Sequence, residues 1–296
     1  MSEDVLRMGL VGAGPWAHKV HGPGIVAHPG TELVATWARR PDAAAEVAAL
    51  GGATAFADFD AFLRHVDAVA FAVPPAVQAP LAAKAADAGK HLILEKPVAP
   101  DVGQAAQLVD AVERAGVTSI MVLTFRYDVG TRRWLDLVHQ TTDWDGGLAR
   151  WFSGTLLDAK YERSQWRHDG GALADIGPHV FDLLDAALGP VDRILQARFD
   201  HSVWHVMLGH ENGRVSTAAL SMHTPAEPAI TDFAVHGPQG FLGFDAAGDA
   251  TQRYAVLLDD FTSLVHSKTA EHPLDVRRGL HLQRLLGRVT DQLAGG

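Results

Sequence analysis

The sequence predicts an α/β chain: an N-terminal parallel sheet covered by helices on both faces, then a second α/β region built on a mainly antiparallel sheet. Three observations predict it. An apolar run, Val5 to Val11, leads directly into Gly12-Ala13-Gly14-Pro15-Trp16-Ala17. Strand-like and helix-like runs then alternate as far as Leu123. Beyond that point, strand-like runs succeed one another with no helix between the later ones.

The elements follow in order. Val5 to Val11 reads as a short buried strand, and Glu32 to Trp37 as a second one, beginning about 20 residues after the glycines, the spacing of a βαβ unit. An Ala-rich helix (Pro41 to Leu50), a short strand near Ala53, a helical turn (Asp58 to Leu63) and an apolar strand (Ala68 to Val73) come next. Helix Val77 to Ala88, strand His91 to Leu94, helix Asp101 to Ala115 and strand Ser119 to Leu123 complete the series. Such alternation implies a parallel sheet with both faces covered. In the remainder, Arg150 to Leu157, Val191 to Phe199, Val203 to Leu208, Val215 to Ser221 and Asp232 to His236 read as strands. Glu211-Asn212-Gly213-Arg214 is a hairpin turn signal, so antiparallel pairing is expected there. Asp275 to Leu293 reads as a terminal helix. The expected division is 1–122 for the first domain and 123–296 for the second.

Composition narrows the function classes. Of 296 residues, 47% are hydrophobic and 20% charged, an ordinary globular balance. Lys and Arg number 25 against 35 Asp and Glu, a net charge of −10, and no basic run exceeds two residues. Nucleic acid normally requires a basic face, so it is not expected as a partner. With no Cys, disulfides, thiolate metal sites and a Cys nucleophile are all removed. The segment Met1 to Arg7 lacks a signal-peptide layout, and no apolar run approaches the roughly 20 residues that span a bilayer. A cytoplasmic protein with no membrane partner is expected. Among the 16 His, His201, His205 and His210 fall in or beside strands, and His18 and His21 near the first helix, without HExxH or Cys partners. No metal is expected.

The Gly12 to Ala17 pattern is GxGxxA. Gly12 allows a tight turn, Gly14 lets a pyrophosphate approach the backbone, and Ala17 is small enough for close helix–strand packing. Free N–H groups at the following helix N-terminus attract phosphate, and Pro15 costs little in a first turn. An acid after the second strand would bind the ribose hydroxyls of NAD, whereas Arg accommodates the 2′-phosphate of NADP. Here Ala38 is followed by Arg39 and Arg40. Either the two guanidiniums hold a phosphate or they form a solvated loop; the first reading favours NADP over NAD.

Two further segments carry chemistry. Ala88 to Pro97, AGKHLILEKP, delivers Glu95-Lys96-Pro97 at the carboxyl end of a strand, where open α/β sheets bind ligands. Lys96 could polarise a substrate oxygen, and a solvated Glu–Lys pair is the alternative. Trp166 to Asp182, WRHDGGALADIGPHVFD, spaces Asp175 and His179 four residues apart, on one face of a helical course. Gly177-Pro178 either kinks that helix or starts it. A His beside a carboxylate suits a general base near neutral pH; a helix cap and a structural His are the plain alternative.

These three segments, in this order and spacing, resemble the glucose–fructose oxidoreductase / inositol dehydrogenase / MocA family over most of the chain. The resemblance implies a Rossmann domain followed by an α/β domain with a large, open, mainly antiparallel sheet that serves oligomer contacts, hence a homo-oligomer (dimer or tetramer). It implies that Lys96 contacts substrate and nicotinamide, that His179 exchanges a proton with the reacting hydroxyl, and that Asp175 orients the substrate. Glu95 would lie near the nicotinamide ribose. Val73 and Pro74 would line the cofactor alongside Gly12, Gly14, Pro15 and Trp16, and Trp166 and Arg167 the mouth of the site. Arg126 matches a family Arg that the family often precedes with Asn; here Phe125 precedes it. Gln78 stands where the family often has His, and Ala38 where it often has an acid, the second departure again favouring NADP.

The expected function is hydride transfer between NAD(P) and a hydroxyl or carbonyl carbon of a sugar, polyol or related small molecule. The alternatives are a family enzyme acting on an imine, a C=C bond or a glycoside, and a non-catalytic nucleotide-binding sensor.

Overall fold

In the computed structural model the described residues are 5–141, 143–158, 165–246 and 248–294. The chain forms two compact units, Met1–Thr124 with Asp249–His281, and Phe125–Gly248 with Leu282–Gly296.

The first unit is built on six strands: β1 (Leu6–Val11), β2 (Thr31–Trp37), β3 (Thr54–Phe56), β4 (Ala68–Phe71), β5 (His91–Leu94) and β6 (Ser119–Met121). Their order is β3-β2-β1-β4-β5-β6, and every pair is parallel. Helices α1 (Gly22–Ala27), α2 (Pro41–Ala48), α3 (Phe59–Leu63), α4 (Pro75–Asp87) and α5 (Val102–Ala115) connect them. The central strand β4, Ala-Val-Ala-Phe, is buried at every position. Apolar residues on both sides of a strand require cover on both faces, and each large side chain buried there contributes roughly 1.5–3 kcal/mol. Helix α5 shows the local logic. Asp101 caps it by accepting from the Gln104 amide (2.8 Å), Ala105, Leu108, Val109 and Val112 form its buried stripe, and Gly116 ends it at φ +62°. The order reverses at β1, with β2 on one side and β4 on the other. That is the switch point at which open α/β sheets bind nucleotides, beyond the strand carboxyl ends.

Helix α9 (Ala250–His266), which the sequence reading did not single out, returns the chain to this unit. His28 Nε2 meets Asp259 at 3.1 Å, and the Met121 amide donates to Leu274 O at 2.8 Å.

The second unit holds β7 (Gly146–Phe152), β8 (Val191–Asp200), β9 (Val203–His210), β10 (Val215–Ser221), β11 (Ile230–Gly237) and β12 (Gly240–Asp245), in the order β12-β11-β7-β10-β9-β8. Four of the five pairs are antiparallel; β7 and β10 are parallel. The parallel pair has a topological cause. Between β7 and β8 the chain makes α7 (Gln165–Asp175) and α8 (Gly177–Leu188), so it re-enters the sheet by a crossover rather than by a hairpin. Alternation assigns the faces. Trp204, Val206 and Leu208 of β9 and Ser216, Ala218 and Leu220 of β10 are buried, whereas His205, Met207, Val215 and Thr217 are exposed. Helix α8 packs on β7, β10 and β11. Helix α6 (Val129–His139) adds Trp134, stacked on Phe244 with ring centroids 5.8 Å apart. The last helix, α10 (Val276–Ala294), gives its first turns to the first unit and the rest to the second. Among the described residues, no helix is long and apolar enough to cross a membrane.

Candidate active site

In the first unit the glycine segment follows β1 directly. Gly12 has φ +117°, and a Cβ there would stand 2.3 Å from Ala72 O and 2.9 Å from Val73 Cγ1. Only glycine lets the end of β1 lie this close to the chain leaving β4. Gly14 differs: a Cβ there would meet nothing within 4 Å, so the space over it is open. Helical structure begins at Pro15 and Trp16, passes through a π-helical turn (Ala17–His21) and continues into α1. Ala17 is fully buried, as close helix–strand packing requires. A glycine turn, an open space over Gly14 and a helix start together fit a dinucleotide pyrophosphate.

Strand β2 ends at Trp37; Ala38 is buried, and Arg39 and Arg40 are exposed, with α2 starting at Pro41. Among the described residues neither guanidinium has a hydrogen-bond or ion-pair partner. Asp42 lies in the first turn of α2. Val73 is half-buried and Pro74 exposed after β4.

Strand β5 ends at Leu94, and the Glu95-Lys96-Pro97 turn follows with a cis Lys96–Pro97 peptide. Gln78, fully buried on α4, holds this turn. Its Oε1 accepts from the Glu95 amide (2.8 Å), and its Nε2 donates to Glu95 O (2.7 Å) and Val98 O (3.0 Å). The Glu95 carboxylate is also engaged. Oε1 lies 2.9 Å from His21 Nε2, and Oε2 accepts from the Lys96 amide at 3.2 Å. His21 Nδ1 lies 3.0 Å from the Tyr254 hydroxyl. Burial, and secondarily the nearby Glu95 charge, pushes the Tyr254 phenol well above its ordinary 10.0. Lys96 itself is half-buried.

In the second unit, α7 carries Trp166, Arg167 and Asp175. Gly171, at φ +56° and ψ −154°, interrupts the helix and turns its final residues. Arg167 Nε donates to Asp175 Oδ2 at 2.9 Å, and the same guanidinium lies 4.4 Å from the Trp166 ring centroid. The choice left open at Gly177-Pro178 is resolved: these residues start α8 after a break at Ile176. His179 sits in the first turn, buried, with its ring 5.4 Å from Phe125 and 5.9 Å from Trp151. Arg126 Nη1 pairs with the buried Asp182 carboxylate at 3.2 and 3.3 Å. His210, one of the strand histidines, uses both ring nitrogens, on Gly189 O (2.6 Å) and Ser216 Oγ (2.8 Å).

Sequence reasoning missed three residues of the first unit. Gln78 was visible only as a departure from a resemblance, whereas it binds the backbone of the Glu-Lys-Pro turn on both sides. His21 was a histidine near the first helix. Tyr254 carried no signal, being 158 residues downstream of Lys96.

These features define a class: a dinucleotide-binding α/β protein with a lysine at the carboxyl end of β5 and, in a second unit, an Asp and a His on successive helices. The chain belongs to the Gfo/Idh/MocA family. Residues 6–124 match its oxidoreductase domain with NAD-binding Rossmann fold, and residues 138–242 match a GFO/IDH/MocA C-terminal domain. It is 32% identical to a dTDP-3,4-didehydro-2,6-dideoxy-alpha-D-glucose 3-reductase of Streptomyces violaceoruber over 66% of this chain and 58% of that protein. It is 28% identical to D-xylose 1-dehydrogenase (NADP(+)) 2 of Haloferax volcanii over 64% of this chain and 61% of that one. The chain thus spans less than two thirds of the length of these relatives. Its fold resembles the crystal structure of GenD2 from gentamicin A biosynthesis in complex with NAD, with a TM-score of 0.86 at 20% identity over 98% of this chain and 95% of that one.

The Gln78 contacts predict a stability effect. Gln78→Leu keeps the volume but leaves one buried N–H and two carbonyls unpaired, each worth roughly 1–3 kcal/mol. Thermal and urea unfolding should show the first unit destabilised by about 3 kcal/mol or more.

Proposed function

We propose that this chain is an NAD(P)-dependent dehydrogenase or reductase acting on a hydroxyl or carbonyl carbon of a sugar, polyol or related small molecule. The observation that carries the reading is the Glu-Lys-Pro turn, fastened at the carboxyl end of β5 in a sheet whose β1 end forms a pyrophosphate cradle. Asp175 and His179, at the junction of α7 and α8, and sugar reductases and dehydrogenases among the relatives, support it.

Gly12, Gly14, Pro15 and Trp16 hold the pyrophosphate, Val73 and Pro74 line the cofactor, and Glu95 lies on the nicotinamide-ribose side. When bound, the nicotinamide supplies or accepts the hydride. Lys96 hydrogen-bonds the reacting oxygen and stabilises charge developing there. In oxidation, an imidazole nitrogen of His179 takes the hydroxyl proton; in reduction it returns it. Asp175 orients the substrate, and its bond to Arg167 sets the direction of its carboxylate. Trp166 and Arg167 form the mouth of the substrate site, and Arg126 lines it.

Arg39 and Arg40 hold the 2′-phosphate of NADP. Among the described residues neither has a protein partner, and position 38 is Ala rather than an acid; both points support this choice over NAD. The open face of the second sheet bears Met207, Val215, Ile230 and the exposed Phe241, a suitable surface for a homo-oligomer (dimer or tetramer). A cytoplasmic location is consistent with a chain lacking Cys, and the net charge of −10 disfavours nucleic acid as a partner.

Three measurements test the reading. Lys96→Ala and His179→Ala should each reduce turnover at least roughly 100-fold in an NADPH absorbance assay over a sugar and carbonyl panel. Near wild-type rates in both would refute the assignment, and dinucleotide binding without turnover on any substrate would point to a sensor. Gly14→Val should weaken dinucleotide binding by at least about tenfold with an unchanged melting temperature, since the added side chain enters open space. Arg39→Ala should weaken NADPH about tenfold and leave NADH within about twofold; equal loss would remove the NADP choice.

A further inference from the structure

Tyr254 and His21 form a chain of hydrogen bonds to Glu95 in the first unit, and the reaction gives neither of these two residues another role. Tyr254 and His21 are fully buried, and Glu95 is 9% exposed. The two rings pack with centroids 4.6 Å apart. Three distant segments supply them: the π-helical turn after the glycine cradle, the end of β5, and α9. The space for Tyr254 is itself prepared, since a Cβ on Gly24 would stand 2.6 Å from its ring. The π turn closes with Gly22 N–H donating to Ala17 O, and Ala17, Val20 and His21 are its buried residues. Single π turns recur at functional sites because the extra residue re-aims side chains.

Proton bookkeeping sets the direction of the chain. Burial keeps the phenol protonated. Among the described residues, its hydroxyl has one partner, His21 Nδ1. A buried O–H left without an acceptor is costly, so the hydroxyl donates. Nδ1 is therefore the acceptor, the proton lies on Nε2, and Nε2–H donates to Glu95 Oε1. Glu95 Oε2 takes the Lys96 amide.

We propose that Tyr254 and His21 are positioning residues for the reaction: the phenol fixes the imidazole tautomer, the imidazole fixes the Glu95 carboxylate, and the carboxylate fixes the backbone of Lys96. This rests on the catalytic role given to Lys96 above. The arrangement parallels metal-ligand and triad histidines, whose working nitrogen is chosen by the hydrogen bond on the other one. Neither residue touches the reacting atoms.

Tyr254→Phe keeps the ring and removes only the hydroxyl. Small displacements of a catalytic group have large kinetic effects. Turnover should therefore fall about tenfold, with the KM for substrate and the Kd for NADPH within about twofold. His21→Gln, whose amide can still donate to Glu95, should retain several-fold more turnover than His21→Leu. A second readout needs no substrate. Long-range 1H–15N spectra, with the His21 signals assigned by their loss in His21→Gln, should show His21 protonated at Nε2 in the wild type. Tyr254→Phe should lose that single tautomer. Wild-type turnover in Tyr254→Phe accompanied only by a lower melting temperature would overturn the proposal, as would an Nδ1-protonated His21 in the wild type. If the wild type turns over no substrate, the proposed activity fails, and the tautomer spectra alone decide whether the chain of bonds is as described.

Discussion

The turn after β5 depends on one constraint: its backbone is buried, and buried amides and carbonyls must be paired. No ladder is available there, because the chain has just left the sheet. Gln78 supplies the substitute from α4, with one side-chain amide serving as acceptor for Glu95 N–H and donor to carbonyls on both sides of Lys96 and Pro97. A histidine has one donor and one acceptor in its neutral form, whereas a glutamine amide has two donors and an acceptor. The departure at position 78 thus supplies three hydrogen bonds at a place where three backbone groups need them.

The glycine cradle obeys a second close-packing rule. Gly12 and Gly14 belong to one motif yet serve opposite ends. At Gly12 the missing side chain lets two strand ends approach; at Gly14 it leaves room on the open side. The family pattern therefore combines an internal packing need with an external one. The arginines after β2 add a complementary feature, exposed cations without a partner among the described residues, in the place where an acid would select against a phosphate.

In the second unit, burial and ion pairing place the polar residues. Arg167 and Asp175 are brought together across the Gly171 break, and Arg126 is directed onto Asp182. His179 forms a three-ring cluster with Phe125 and Trp151, so its ring orientation is set by packing. The same sheet presents a dry face to α8 and a wet one carrying His205, Met207 and Thr217, the alternation expected of a sheet covered on one side.

Much of the architecture was legible in the chain. Periodicity placed the six parallel strands to within a few residues, because buried strands must be apolar along their length and the turns between them must be polar or glycine-rich. Lys96, Asp175 and His179 could be singled out because each sits at an element boundary that local sequence marks. Other features had no local signature. The parallel β7–β10 pair depends on which strands meet after a crossover, and α6, α9 and β12 were not singled out from pattern. By itself, the sequence determined the nucleotide-type sheet, the glycine cradle and the positions of Lys96, Asp175 and His179 at element ends, since these rest on short-range steric and hydrogen-bonding rules. Only the tertiary structure decided that Gln78, His21 and Tyr254 converge on Glu95. Hydrogen bonds between residues 17, 74 and 233 positions apart arise from how the elements pack, and no periodicity in the chain records them.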